Sequence, residues 1–257
     1  MTYLIICAVA FAASALTFFS GFGLGTLLLP AFALFFAIQQ AVALTAVVHF
    51  LNGSFKLALV WRHVAWPIVL RFGLPALVAA FAGAWLLVWL AEARPLVSYS
   101  LLGRSVSVAP AKLTVGVLLL VFACAELLPS FRKVSFPPRY LPLGGLLSGF
   151  FGGLAGMQGA LRSAFLIKSG LTKEAYVATG AAIAFLIDVS RLSVYAQLIA
   201  AYRGEFDDAL LGAAVVAALL GSLLGNRYLP KATLGGIQTA VAVLLFAVAL
   251  GLVSGII

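Results

Sequence analysis

Residues 149–171 read GFFGGLAGMQGALRSAFLIKSGL: an apolar helix runs into a cluster of glycines, stops, and restarts for a stretch ending near Lys168. At ~1.5 Å per residue, that restarted segment is too short to cross a hydrocarbon core of ~30 Å. Glycine lets a chain leave helical geometry, and backbone opened at membrane depth is tolerated only inside protein or beside a cavity. The first half of the chain repeats the device. Ser20-Gly21-Phe22-Gly23-Leu24-Gly25 breaks one apolar helix and opens another short one, about 24–37.

The surroundings are those of a membrane protein. The chain has 257 residues, 64% hydrophobic and only 9% charged, with a mean hydropathy of +1.19. A soluble domain carries about a quarter charged residues, because its surface faces water. The formal net charge of +9 does not indicate nucleic acid, because the basic residues are dispersed in short links and form no groove-binding patch. Cys7 and Cys124 lie far apart in apolar segments with no metal-ligand spacing. No Walker-type loop, HExxH or nucleophile elbow is present, so neither ATP hydrolysis nor proteolysis is indicated, and no cofactor is implied. The apolar N-terminus lacks a basic n-region and reads as a retained first span.

Apolar runs and polar breaks divide the chain into ten helical segments: about 3–20, 24–37, 39–61, 66–91, 111–128, 140–156, 158–168, 173–202, 206–225 and 233–254. The polar link 92–110 reads as an external loop. An offset of 134 residues puts Gly25 on Gly159, Ala41 on Ala175 and Thr45 on Thr179. The expected fold is therefore all-α and membrane-integral, with two repeats, 1–128 and 129–257, of about five segments each. Five is odd, so the second repeat is inverted. With each broken pair entering and returning, one face collects Arg62, Arg132, Lys133, Arg139, Lys168, Lys173, Arg227 and Lys231. The other collects Arg94, Arg104, Lys112 and Arg203 beside Glu92, Glu205, Asp207 and Asp208. Eight basic residues against four place both termini outside by the positive-inside rule.

A few charged residues fall within apolar segments, where each costs about 2.5–3.5 kcal/mol unless it finds a partner or water. Arg162 lies one turn past Gly159. A helix start offers unpaired N–H groups and partial positive charge, and a guanidinium adds a two-pronged grip, so the pattern suits an oxyanion. The other reading of Arg162 is a structural tie to carbonyls of the broken backbone. Gly25, Thr26, Gln158 and Gly159 flank the two breaks as further candidate ligands. His49, Asn52 and Lys56 form a polar stripe that either faces the pathway or packs. Lys56 and Arg71 also lie near enough to helix ends to snorkel. Asp188 and Arg191, three apart on one helix face, either neutralise one another or take a gating or coupling role.

The stretches SGFGLGTLLLPAFALFF, AVALTAVVHFLNGSFKLALVWRHV, GFFGGLAGMQGALRSAFLIKSGL and ATGAAIAFLIDVSRLSVY resemble the TauE/SafE sulfite exporter family, within the toluene-sulfonate uptake permease superfamily. The first break, SGFGLGT, is thinner in glycine than the family's usual triplet. The resemblance implies a multi-pass carrier of the bacterial inner membrane that moves sulfite, sulfoacetate or a related organosulfonate without ATP. Its partners are then a small sulfur-containing anion and lipid, with monomer and homodimer both open. The residues alone equally admit a passive anion channel, or a carrier for another small oxyanion or a carboxylate.

Charge counting makes the topology testable. Single cysteines at Ser98 and Ser135, in a background lacking Cys7 and Cys124, are expected to label from opposite faces of the membrane, Ser98 from outside. Labelling of both from one face contradicts the inverted arrangement.

Overall fold

The computed structural model describes residues 1–20, 23–101, 104–127, 134–201, 207–228 and 235–256. Gly21 and Phe22 of the first break, and Arg132, Lys133, Arg203, Glu205 and Lys231 of the charge count, lie outside these residues. Ten apolar helices make up the described fold: α1 Thr2–Ser20, α2 Leu24–Ala33, α3 Ile38–Val60, α4 Trp66–Glu92, α5 Pro110–Leu127, α6 Leu141–Ala155, α7 Gly159–Leu166, α8 Lys173–Ala201, α9 Asp208–Tyr228 and α10 Gly235–Ser254. They follow the ten apolar segments in order. Among the described residues four stretches are long and apolar enough to cross a bilayer: Ile38–His63, Trp66–Glu92, Lys173–Ala200 and Asp208–Gly225. Exposed Trp61 and Trp66 at one end of this helix pair, and Trp85 and Trp89 toward the other, suit the two polar–apolar boundaries of a bilayer.

The link 92–110 is more ordered than a loop. It holds an antiparallel hairpin, β1 Val97–Leu101 with β2 Arg104–Val108, in which Val97 pairs with Val108 and Tyr99 with Val106. The alternation of Val, Tyr and Leu with Ser is the period-two pattern that a strand requires. The Tyr99 hydroxyl donates to the Ser254 carbonyl at 2.5 Å, fastening the hairpin to the end of α10. Near the start of α1, the Tyr3 hydroxyl donates to Asp207 at 2.5 Å, and the Leu210 N–H donates to the same carboxylate at 3.1 Å. Together these bonds hold the Asp207 carboxyl below the usual carboxylate range.

Helices from the two halves of the chain pack most extensively with one another: α1 against α9, α4 against α6, α3 against α8 and α5 against α10. Lipid offers no hydrophobic drive between helices, so close backbone approach through small residues has to supply the contact. On α6, Gly145, Gly149 and Gly153 lie directly against the carbonyls of Phe72, Ala76 and Ala80 of α4. On α9, Gly221 and Gly225 lie against the carbonyls of Phe11 and Ala15 of α1. Phe32, Val42, Leu119, Tyr195 and Leu245, from five different helices, share one buried core. A second cluster with Phe72, Phe165, Ile183 and Ile187 seals the α4–α7–α8 side.

The α6–α7 pair turns back on itself. The Phe136 N–H donates to the Ala164 carbonyl at 3.0 Å, and the Phe136 ring stacks on Phe165 with centroids 4.3 Å apart. The end of α7 thus returns to the end of the bundle from which α6 sets out.

Candidate functional site

Both breaks contain a glycine in the left-handed region, Gly23 at φ 110° just before α2 and Gly156 at φ 74° just after α6. An L side chain rarely adopts that conformation, and at the second break it lets α6 stop and α7 start within about four residues. The breaks touch. A Cβ placed on Gly25 would stand 2.8 Å from the Gly156 carbonyl oxygen, so the starts of α2 and α7 are neighbours. Among the described residues, the first-turn N–H groups of α7 have no carbonyl one turn earlier that accepts from them. Local bonds hold the second break in shape: Gly156 N–H to Gly152 O at 2.9 Å, Met157 N–H to Phe151 O at 3.3 Å, and the Ser148 hydroxyl to the Gln158 carbonyl at 2.9 Å.

Around this junction the structure gathers most of the residues singled out from sequence. Asp188 of α8 is fully buried and organises the rest. Its Oδ2 accepts from Nδ1 of His49 on α3 at 2.6 Å. Its Oδ1 accepts from Nε of Arg191 at 2.9 Å and from Nε2 of Gln158 at 3.4 Å. The carboxamide oxygen of Gln158 in turn accepts from Nη1 of Arg162 at 3.1 Å. A continuous chain therefore runs Arg162–Gln158–Asp188, with His49 and Arg191 branching from the carboxylate. Asp188 and Arg191 do not simply cancel along one helix face, since the same carboxylate also binds α8 to α3 and to the second break.

Other candidates fall into place around that chain. Lys56 is half-buried on α3 and lies within electrostatic range of Arg162. Thr26 and Gly25 are buried in the first turn of α2, and Gly159 opens α7. Arg71 is exposed in a π-helical turn of α4, as a snorkelling residue would be. Asn52 serves a neighbouring cluster: its Oδ1 accepts from the hydroxyls of Ser14 at 3.0 Å and Ser222 at 2.6 Å, linking α3 to α1 and α9.

Sequence reasoning passed over Ser14, Ser222, Ser148 and Tyr195. The Tyr195 hydroxyl donates to the Gly153 carbonyl, pinning α8 to the second break. Ser222 sits between Gly221 and Gly225, and a hydroxyl within a small-residue packing stripe is the signal that would have found it. The buried Thr45 hydroxyl has no partner among the described residues.

A family model described as sulfite exporter TauE/SafE matches residues 6–252. The chain belongs to that family, whose members are membrane transporters and not enzymes. No match was found among curated proteins or among solved structures.

The Asp188 network carries a stability prediction. Removing one partner of a buried pair strands the other charge, so Asp188→Asn and Arg191→Gln are each expected to destabilise by roughly 3–5 kcal/mol. The double variant is expected to be more stable than either single variant in thermal unfolding of the purified protein. Losses that simply add would show that the two side chains act independently.

Proposed function

We propose that this TauE/SafE member exports sulfite, or a small organosulfonate such as sulfoacetate, across the bacterial inner membrane by alternating access. The anion is held where the two glycine breaks meet, by the N-termini of α2 and α7 and by Arg162. His49, Lys56, Gln158 and Thr26 surround it, while Asn52 steadies the α3 wall.

The observation that carries this reading is a charge imbalance. Among the described acidic residues, Asp188 alone lies within a helix away from its ends. Arg191 bonds that one carboxylate directly, Arg162 reaches it through Gln158, and Lys56 lies within electrostatic range of Arg162. A surplus of positive charge in a low-dielectric interior calls for an anion as part of the working molecule. Export also fits the membrane field, because moving one negative charge out of a cell that is negative inside releases about 2.3 kcal/mol per 100 mV.

Two inverted repeats, 1–128 and 129–257, suit this mechanism, since a carrier built so can rock about a site at the midplane. Three features support them. First helices pack on fourth helices of the opposite repeat, and third on third and fifth on fifth. The α3 and α8 helices cross at Phe50 and Phe185, rings 5.4 Å apart, and the offset that puts Gly25 on Gly159 puts Phe185 on position 51. Each repeat also opens its short helix just after a positive-φ glycine.

Calorimetric titration of the purified protein with sulfite tests the site. Arg162→Lys keeps the charge but loses the fork, so affinity is expected to fall while the fold survives. Arg162→Ala is expected to lose more, on the order of 2–5 kcal/mol for a desolvated ion pair. A folded Arg162→Ala protein that binds sulfite as tightly as wild type contradicts the assignment.

A further inference from the structure

We propose that Arg191 is a direct ligand of the transported anion, presenting its free Nη1 edge to an oxygen of a sulfite- or sulfonate-type group seated at the junction of the two breaks. The proposal rests on the carrier reading above and adds a second guanidinium to the site.

The geometry begins with what Asp188 leaves undone. Arg191 is 0% exposed, yet its carboxylate partner engages only one edge of the guanidinium. Nε donates to Asp188 Oδ1 at 2.9 Å, and Nη2 lies 2.8 Å from the same oxygen without aiming an N–H at an acceptor. Nη1 has no hydrogen-bond partner among the described residues. A guanidinium carries five N–H donors, and buried donors left unmade cost about 1–3 kcal/mol each, more for charged groups. Burying such a group completely and leaving that edge open is the reverse of what a purely structural arginine requires.

The direction of the open edge supplies the second argument. A Cβ on Gly156 would come within 2.9 Å of Nη1, so the edge points at the left-handed glycine of the second break. The carbonyl of that same glycine abuts Gly25, in the first turn of α2. Nη1 is therefore aimed at the place where the two helix starts come together, and where the N–H groups that open α7 are available to an anion. Any side chain at position 156 would press on the guanidinium, and glycine keeps the approach clear.

Asp188 and His49 then act as positioning residues. The carboxylate fixes Nε and Nη2 so that the fork cannot turn away, and His49, bonded to the other oxygen, fixes the carboxylate. Arg162 is tied into the same chain through Gln158, so two guanidinium groups converge from α7 and α8. A pyramidal –SO3 head presents three oxygens in different directions and can accept from both groups at once. A planar carboxylate offers two oxygens in one plane and matches such a pair of approaches less well.

Two measurements on the full-length protein test the assignment. In calorimetry with sulfite, Arg191→Lys retains a cation opposite Asp188 but cannot offer a second edge, and affinity is expected to fall at least about tenfold. In a structure of the wild-type protein with selenite, whose selenium scatters anomalously, an anion oxygen is expected at hydrogen-bond distance from Arg191 Nη1. That second measurement decides the matter if the lysine variant does not fold. A folded Arg191→Lys protein with wild-type sulfite affinity overturns the proposal, as does selenite bound beside Arg162 with Nη1 untouched; the carrier reading survives both. Absence of any saturable sulfite or selenite binding to the wild type overturns the carrier reading itself.

Discussion

A helix broken inside a bilayer exposes N–H and C=O groups that lipid cannot satisfy, and each costs several kcal/mol if left alone. The two breaks here are sealed by being pressed against one another and wrapped in the surrounding helices. Gly25 meets the Gly156 carbonyl, Ser148 takes the Gln158 carbonyl, and Tyr195 takes that of Gly153. The glycine rows of α6 and α9 let α4 and α1 come close enough to enclose them. With the breaks sealed, the starts of α2 and α7 are brought side by side, and the proposed anion site would use their partial positive charge.

The Asp188 carboxylate keeps that site ordered. It joins His49, Gln158 and Arg191 across α3, the second break and α8, and reaches Arg162 through Gln158. That one acid fixes Arg191 directly and Arg162 through Gln158 in direction. An anion bound as proposed would meet donors already oriented, so less of its binding energy would be lost to ordering side chains.

Much of this architecture was legible in the residues themselves. Glycine breaks followed by segments too short to span are visible without a structure, and so are the ten helices, because hydropathy and glycine act locally. Arg162 could be singled out because its distance from Gly159 is a local property of one helix. The His49–Asp188 bond could not, since it joins residues 139 apart on helices that only the packing brings together. Asn52 read as part of a polar stripe, but its partners Ser14 and Ser222 come from two other helices and hold the bundle together. The hairpin at 97–108 was hidden by its setting, a short polar link in a helical protein, although its alternation was there to read.

The central claim is that this buried, electropositive junction binds sulfite and changes which side it faces. Counterflow tests both parts together. Liposomes containing the purified protein are loaded with unlabelled sulfite and diluted into a trace of radiolabelled sulfite. The account predicts a transient accumulation of label above its equilibrium level, with an initial rate that saturates as sulfite rises. Label that only equilibrates, at a rate linear in concentration, would contradict it and indicate an open pore.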